Sequence, residues 1–340
     1  MSTGLVDDIG LIFVYSYIVI AFFRNNLFFN SLMLLPYTVL VRLHTLWHPE
    51  VYAVTEADTS LVRNLYSFLP SAVGQSIVAI LLVFFQAWAI NRLSIKFRIA
   101  KRLTLIPGLI YILFTAFFSE LLVLTPVLMA TTFVIWVLYE LYSTYKRTHT
   151  AISLFNTGFA VGLATLLVPS MYLYMLLCVL GLTIIKTFKT VELLQQVIGF
   201  LVVLYLYYSF GHLIGMDVGS EWPRFSLGFQ NGLFDITGFP KILGFLAAGI
   251  AISVFSYNKY LAKKSIQIHK SIDMLFWCLV IALLSTLFST QLSFSYIVLA
   301  MLPLALLLNM NVQRIRNQAI VEILHIVLLA ALFIQHFSLL

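Results

Sequence analysis

Residues 44–73, HTLWHPEVYAVTEADTSLVRNLYSFLPSAV, form the first long polar stretch in a chain that otherwise consists mostly of apolar runs. The stretch carries Glu50, Glu56, Asp58 and Arg63 within fourteen positions. Ionisable groups are costly to place in hydrocarbon, so a membrane protein has few places where they can gather. The stretch therefore predicts a large water-facing loop after a first membrane-spanning helix, and it is where we first expect chemistry.

The composition on either side of this stretch defines the class of protein. Apolar residues make up 61% of the 340 residues and charged residues 10%, whereas a soluble domain has about 45–50% and about 25%. The mean hydropathy is +1.01. These values predict an all-α fold, a polytopic transmembrane helix bundle that forms one integral membrane domain over residues 1–340, with the lipid bilayer as its surroundings. The net charge of +7 is scattered between apolar runs, so nucleic acid is not an expected partner.

Eleven apolar segments, each closed by polar or charged residues, are predicted to cross the membrane as helices. They cover residues 27–43, 75–91, 103–119, 121–141, 151–168, 170–186, 191–210, 240–257, 272–289, 292–309 and 319–337. Residues 11–23, LIFVYSYIVIAFF, are shorter than the roughly 20 residues that a span needs. Residues 1–26 are therefore interpreted as a cytoplasmic or interfacial segment; if residues 11–23 do cross, the chain has twelve spans.

The distribution of lysine and arginine predicts the orientation. With residue 24 on the cytoplasmic side, sixteen of the 20 Lys and Arg residues fall in cytoplasmic segments, as the positive-inside rule requires. The four others are Arg42, Arg63, Arg224 and Lys241. The first loop, 44–73, and the second long loop, 211–239, then lie outside the cytoplasm together with most of the loop acids.

The candidate site consists of ionisable residues on that outer side. Three carboxylates are suited to holding a divalent cation or acting as a general base: Glu56, Asp58 and Glu120. The groups suited to neutralising a phosphate are His44, His48, Arg63, His212 and Arg224. Ordinary loop polarity is the alternative interpretation, in which Glu56 and Asp58 only cap a short interfacial helix.

Other polar patterns within the apolar segments are interpreted structurally. Glu192 is expected to pair with Lys189, and Asp273 is expected to pair with Lys270 or to reach the membrane interface. A G-x-x-x-G spacing at residues 158–162 predicts close helix packing, because glycines allow two backbones to approach each other.

Four segments carry a resemblance to known proteins: FFRNNLFFNSLMLLPYTVLVRL, LLVFFQAWAINRL, FFSELLVLTPVLMATTFVIWVLYELYSTYK and FNTGFAVGLATLLVPSMYLYMLLCVLGL. In order and character they resemble an uncharacterised family of multi-spanning inner-membrane proteins from Bacteroidota, over roughly residues 22–210. That family is in turn distantly similar to membrane glycosyltransferases of the GT-C type. The resemblance implies a bacterial inner-membrane protein of cell-envelope biogenesis, with acidic loops in the periplasm and basic loops in the cytoplasm.

The same resemblance implies residue roles. Glycosyltransferases of the GT-C type transfer a sugar from a polyprenyl-phosphate-linked donor, commonly with a divalent metal. Glu56 and Asp58 would take the place of the first-loop acids, with Asp58 as the metal ligand, and Glu120 that of the second-loop acid. Arg63 or Arg224 would meet the lipid phosphate. The acids here are not a contiguous pair, and they lie further from the first helix than in that family.

Three hypotheses follow from these observations. The first is a GT-C-like transferase that uses a lipid-linked sugar on the periplasmic side. The second is a non-catalytic assembly subunit that binds a lipid-linked intermediate or a membrane protein partner. The third is a transporter or a flippase for lipid-linked sugars, although few charges lie within the predicted spans.

Overall fold

A computed structural model of the chain describes residues 18–25, 27–56, 58–100, 102–186, 188–215, 239–262, 264–288 and 294–337. Every regular element in these residues is a helix, and they contain no strand. The prediction of an all-α fold is therefore confirmed for the described part of the chain.

The helices are numbered in chain order. Those of the first half are α1 (Ile18–Arg24), α2 (Phe28–Leu32), α3 (Leu34–Val41), α4 (His44–Trp47), α5 (Ser60–Ser67), α6 (Ala72–Lys96), α7 (Ile106–Ala116) and α8 (Pro126–Ser143). Those of the second half are α9 (Ala151–Leu167), α10 (Tyr174–Ile185), α11 (Thr190–Leu213), α12 (Phe239–Phe255), α13 (Tyr257–Leu261), α14 (Ile266–Leu287), α15 (Val298–Val312) and α16 (Gln318–Phe337). Short 3₁₀ turns lie at Ser119–Leu121, Pro169–Leu173 and Phe294–Ile297.

Six helices in the described residues are long and apolar enough to cross a membrane. They are α6, α8, α11, α14, α15 with the 3₁₀ turn before it, and α16. Shorter apolar helices occupy the other five predicted span positions, at Phe28–Val41, Ile106–Ala116, Ala151–Leu167, Pro169–Ile185 and Ile242–Phe255. Such a set of helices suggests a multi-pass protein in a lipid bilayer. Of the predicted interfacial run 11–23, the structure describes the part from residue 18, which is helical.

The centre of the bundle is formed by α15 and α7. In the most apolar stretch of Phe294–Val312, which contains α15, 83% of the residues are buried. In the corresponding stretches of α11 and α16, only 17% and 28% of the residues are buried. The central helix α15 packs against α7, α8, α12 and α14. A helix that is apolar on all sides is stable only when other helices or lipid surround it. The peripheral helices α11 and α16 therefore present most of their surface outward.

Glycines bring α9 and α11 into close contact. Gly158 on α9 lies against the backbone of Gln196, and Gly199 on α11 lies against the backbone of Phe155. A Cβ atom on Gly162 would come within 2.8 Å of the Val203 Cβ. The close packing predicted from the G-x-x-x-G spacing is confirmed, and its partner is α11.

Buried amide side chains join α6 to its neighbours. Gln86 donates a hydrogen bond to the Leu128 carbonyl at 2.7 Å and accepts one from the Tyr111 hydroxyl at 2.7 Å. Asn91 accepts a hydrogen bond from the backbone N–H of Gly108 at 2.7 Å, in the first turn of α7. An unpaired polar group in an apolar interior is costly. These bonds therefore favour one register of α6 against α7 and α8.

Arg42, the residue after α3, is fully buried and binds the end of α7. Its guanidinium donates hydrogen bonds to the carbonyls of Thr115, Leu121 and Leu122 at 3.0, 3.1 and 3.1 Å. The last carbonyls of a helix have no partner within the helix and carry partial negative charge, which a cation stabilises. Arg42 therefore joins α3 to α7 and to the 3₁₀ turn that follows α7.

An ion pair joins the ends of α9, α10 and α11. The Lys186 ammonium lies 2.7 Å from a carboxylate oxygen of Glu192 in the first turn of α11. The same ammonium donates a hydrogen bond to the Thr150 hydroxyl, just before α9, at 3.0 Å. The expected pairing of Glu192 with Lys189 is wrong, because the side chain of Glu192 reaches back to the end of α10.

Two further lysines lie at the same end of the bundle. Lys270 donates a hydrogen bond to the Ile185 carbonyl at the end of α10 at 3.0 Å, and Lys96 at the end of α6 bonds to the hydroxyl of Tyr139 on α8. We call this end, which carries Lys96, Lys186 and Lys270, the lysine-rich face. The opposite end, which carries residues 44–60 and 115–124, is the first-loop face.

Replacing Gly158 by Ala tests the contact between α9 and α11. The added methyl group would meet the backbone of Gln196, so we expect the free energy of unfolding to fall by about 1–3 kcal/mol. Gly244→Ala on α12 is the matched control, because its new Cβ would meet nothing within 4 Å. Thermal melting in the same detergent measures both variants. Equal melting temperatures for the two would contradict the close packing.

Replacing Arg42 by Met tests the bonds at the end of α7. Three buried carbonyls would lose their donors, and we expect a loss of about 3–5 kcal/mol in the free energy of unfolding. Arg92→Met is the control, since Arg92 is exposed and its guanidinium only lies over the Trp88 ring at 4.9 Å. For Arg92→Met, the expected loss in the free energy of unfolding is below about 1 kcal/mol. A loss for Arg42→Met no larger than that of the control would show that Arg42 does not hold this part of the bundle.

Candidate functional site

The first loop is anchored by the start of α5. The Thr59 hydroxyl caps this helix by accepting a hydrogen bond from the backbone N–H of Val62 at 3.3 Å. It also donates a hydrogen bond to the Leu166 carbonyl at the end of α9, at 2.8 Å. The apolar side of the amphipathic helix α5 thus packs on the bundle, while residues 50–58 form the outer part of the loop.

Asp58 organises the turn before α5. One carboxylate oxygen accepts a hydrogen bond from the Tyr52 hydroxyl at 3.0 Å. The other accepts hydrogen bonds from the backbone N–H and the hydroxyl of Thr55, at 2.7 and 3.0 Å. Three donors at these positions are typical of an aspartate that stabilises a turn. This geometry explains the position of Asp58 without a ligand.

Two tyrosines surround Asp58. The rings of Tyr52 and Tyr66 lie 5.2 Å apart. Burial raises the pKa of Tyr52, and the negative charge of Asp58 with its hydrogen bond raises that pKa further. Burial also raises the pKa of Tyr66, with smaller contributions from Tyr52 and Asp58. Both phenols therefore stay protonated at neutral pH and act as hydrogen-bond donors.

Glu56 and Arg63 lie on the outer side of this turn. The Glu56 side chain is exposed, and its backbone carbonyl accepts a hydrogen bond from the Arg63 guanidinium at 3.3 Å. Arg63 also donates a hydrogen bond to the Ser60 hydroxyl at 3.1 Å, along the same helix. The structure thus places Glu56, Asp58 and Arg63 in one neighbourhood.

Glu120 and His48 belong to a second neighbourhood. Glu120 is exposed in the 3₁₀ turn Ser119–Leu121, and it accepts a hydrogen bond from the Ser119 hydroxyl at 3.3 Å. Ser119 lines a narrow cleft together with His44, His48 and Glu50. The predicted site is thus divided into two groups, one around Asp58 and one around this cleft.

The 3₁₀ turn Phe294–Ile297 lies beside both groups. Tyr296 is close enough to Tyr52 to raise its pKa, and the turn packs against Ser119–Leu121. The sequence analysis missed Tyr296, because this residue lies in an apolar segment that was predicted only to cross the membrane. No local pattern separates it from the interfacial tyrosines common in membrane proteins.

Two predicted features of the site stay predictions: the role of Arg224 and the binding of a metal ion. Arg224 and most of the second long loop, 211–239, lie outside the described residues. Within the described ranges, no three His, Cys, Asp or Glu side chains are placed to hold a metal ion together. The metal role of Asp58 therefore stays a prediction.

Three histidines meet at the first-loop face. The ring of His44 lies 5.1 Å from that of His48 and is stacked 5.5 Å from that of His336 on α16. The buried His336 ring donates a hydrogen bond to the Ala116 carbonyl at 2.8 Å. Burial lowers the pKa of His44, His336 and His48 lower it further, and the negative charge of Glu50 opposes them.

An apolar groove opens beside α5 at the first-loop face. Its volume is about 660 Å³, which is within the range of ligand-binding sites. Side chains of α5, α9 and α11 line it, and Asn64 and Tyr207 are the polar members. Its apolar lining includes Leu61, Leu65, Phe68, Phe159, Leu163, Leu166, Leu206 and Phe210. Phe68 and Phe210 are 85% and 62% exposed, so the groove opens outward from the bundle.

Comparison of the chain with protein-family models, with curated proteins and with solved structures finds no match. The class of this protein is therefore defined by its fold. In the described residues it is an all-helical chain with six helices that can cross a membrane and an apolar groove beside α5.

Acidification tests the histidine cluster. A lowered pKa means that neutral His44 contributes stability above its ordinary pKa of 6.5, and that this contribution is lost as the pH falls below that value towards the lowered pKa of the folded state. We expect the melting temperature to fall between about pH 7.5 and about pH 5, and we expect His44→Gln to reduce that fall. His149→Gln, at an exposed position far along the chain, is the control. An unchanged pH dependence in His44→Gln would refute the role of the cluster.

Proposed function

We propose that this chain is a multi-pass protein of a bacterial inner membrane that binds an anionic long-chain lipid in the groove between α5, α9 and α11. The groove itself is the observation that carries this proposal. Its lining is almost entirely apolar and it opens outward between helices, as a site for a lipid chain requires. In this proposal all eleven apolar helical segments cross the membrane, and the lysine-rich face is cytoplasmic.

The charge beside the groove supports an anionic headgroup. Arg63 precedes Asn64, which lines the groove, and both lie on α5. A guanidinium binds phosphate oxygens through parallel N–H donors. A lipid phosphate at the first-loop face would thus meet Arg63 while its chain lies along α9 and α11. A polyprenyl-phosphate-linked sugar has both parts, a long apolar chain and a phosphate.

The finer proposal is a glycosyltransferase of GT-C-like arrangement in envelope biogenesis. An acceptor hydroxyl would attack the anomeric carbon of the sugar, the bond from that carbon to the lipid phosphate would break, and a carboxylate would take the hydroxyl proton. Arg63 would stabilise the departing phosphate. Glu56 suits the role of base better than Asp58, because Glu56 is exposed whereas Asp58 already accepts three hydrogen bonds. Glu120 lies in the other neighbourhood.

A specific observation also favours a second candidate, a non-catalytic assembly subunit. The carboxylate of Asp58 accepts three hydrogen bonds from Tyr52 and Thr55, as a structural aspartate in a turn does. In that case the groove would hold a lipid-linked intermediate without changing it, and the outward surface of α11 would contact a membrane protein partner. The two candidates share the lipid and differ in turnover and in the membrane protein partner.

Filling the groove tests lipid binding. In Leu206→Trp the larger ring would occupy the groove, and we expect crosslinking to a photoreactive polyprenyl phosphate to fall about tenfold, which is about 1.4 kcal/mol. Leu194→Trp is the matched control on the same helix, at an exposed position that does not line the groove. Equal crosslinking of the two variants would contradict the proposal.

Two substitutions then separate binding from transfer. Arg63→Gln should weaken crosslinking about tenfold, because one charged donor is lost. Glu56→Gln should leave crosslinking unchanged and abolish sugar transfer if the protein is a transferase. Retention of full transfer activity in Glu56→Gln would exclude Glu56 as the base and leave the lipid site standing.

A further inference from the structure

A second pocket lies at the opposite end of the bundle, on the lysine-rich face. Its volume is about 510 Å³, and it is formed where the ends of α10 and α12 meet α13 and α14. The residues that matter for its chemistry are Tyr257, Asn258, Asp273, Phe276 and Trp277. No step of the proposed function uses this pocket.

Asp273 is the charged group of the pocket. The expected pairing with Lys270 is wrong, because the Lys270 ammonium donates to the Ile185 carbonyl instead and lies 5.8 Å from the Tyr145 ring. Within the described part of the chain, the Asp273 carboxylate accepts one hydrogen bond, from the Tyr257 hydroxyl at 2.7 Å. An ionised carboxylate has about four acceptor positions. Asp273 therefore keeps capacity for a positively charged ligand.

Aromatic rings surround this carboxylate. The rings of Tyr257 and Phe276 meet edge to face, with centroids 5.3 Å apart, and Trp277 is 42% exposed beside them. Ammonium groups bind to the faces of aromatic rings, most strongly to Trp, and the attraction increases when water is excluded. A carboxylate together with several rings is a combination that recognises a cationic amine.

The surroundings indicate that this amine belongs to a lipid. Val254 lines the pocket and is 53% exposed, and the neighbouring Phe255 and Val280 are 84% and 40% exposed. Such a surface suits acyl chains. Asp273 lies seven residues into α14, or roughly 10 Å along its axis. This depth matches the headgroup boundary of a membrane, where a lipid-facing carboxylate can remain charged.

Positive charge lies next to the pocket as well. Lys259 follows Asn258 and is exposed, and Lys270 lies one turn before Asp273 on α14. A zwitterionic headgroup with an ammonium and a phosphate matches a carboxylate flanked by lysines, whereas an anionic headgroup would be repelled by the carboxylate. The charges on this face thus favour an aminophospholipid.

We propose that this pocket binds the primary ammonium of an aminophospholipid, with phosphatidylethanolamine as the simplest example. The ammonium lies between the Asp273 carboxylate and the rings of Tyr257 and Trp277, and the acyl chains follow the apolar surface beside Val254. This site is independent of the groove at the first-loop face.

Native mass spectrometry of the full chain, released from nanodiscs, tests the proposal. In the Leu206→Trp background, where the groove proposed for the anionic lipid is filled, we expect phosphatidylethanolamine to remain bound at least about tenfold more than phosphatidylglycerol, a difference of about 1.4 kcal/mol. Asp273→Asn removes the charge and keeps an oxygen that can accept from the Tyr257 hydroxyl. This variant should keep the wild-type melting temperature and lose the preference.

Further variants make the result specific. Glu140→Gln is the matched control, since Glu140 is a carboxylate on α8 that already accepts hydrogen bonds from the Trp136 indole and the Asn156 amide, both at 3.3 Å. It should keep the preference, and Trp277→Leu should weaken it about tenfold. An equal preference in Asp273→Asn and wild type would overturn the site. Binding of free ethanolamine as tight as that of phosphatidylethanolamine would show that the acyl chains contribute nothing, and would overturn the assignment to a lipid.

Discussion

A single buried cation, Arg42, organises the first-loop face of this protein. Its three hydrogen bonds to carbonyls at the end of α7 and in the turn after it join α3 to α7 at the point where the first loop begins. In lipid, the unpaired groups of a helix end must find partners inside the protein. Glu322 meets the same requirement at the other face, where its carboxylate accepts hydrogen bonds from the backbone N–H groups of Val19 and Ile20 at 3.1 Å each. At both faces, a charged side chain thus satisfies the end of a helix.

Each of the two faces has its own cavity. On the lysine-rich face, Lys96, Lys186 and Lys270 are engaged with hydroxyls, a carbonyl and one carboxylate, and Asp273 lines a second pocket. On the first-loop face the amphipathic helix α5 leaves an apolar groove beside its polar side. Under the two proposals, these cavities hold lipids of different charge, one anionic and one zwitterionic.

The sequence predicted the helical class and the positions of the apolar helices well, because long apolar runs have few alternatives to a helix in a membrane. It also predicted the packing at Gly158. It did not predict the partners of Glu192 and Asp273. These partners depend on the direction of neighbouring helix ends and not on spacing along the chain. The predicted site was divided for the same reason, because the positions of Asp58 and Glu120 depend on how distant segments pack.

The central claim is that the groove between α5, α9 and α11 holds the chain of an anionic lipid. Cryo-electron microscopy of the protein in nanodiscs that contain a polyprenyl phosphate tests this claim most directly. We predict continuous density along Phe159, Leu163 and Leu206 that ends in a phosphate beside Arg63. A groove filled by protein side chains, with the polyprenyl phosphate bound at another surface, would contradict the account.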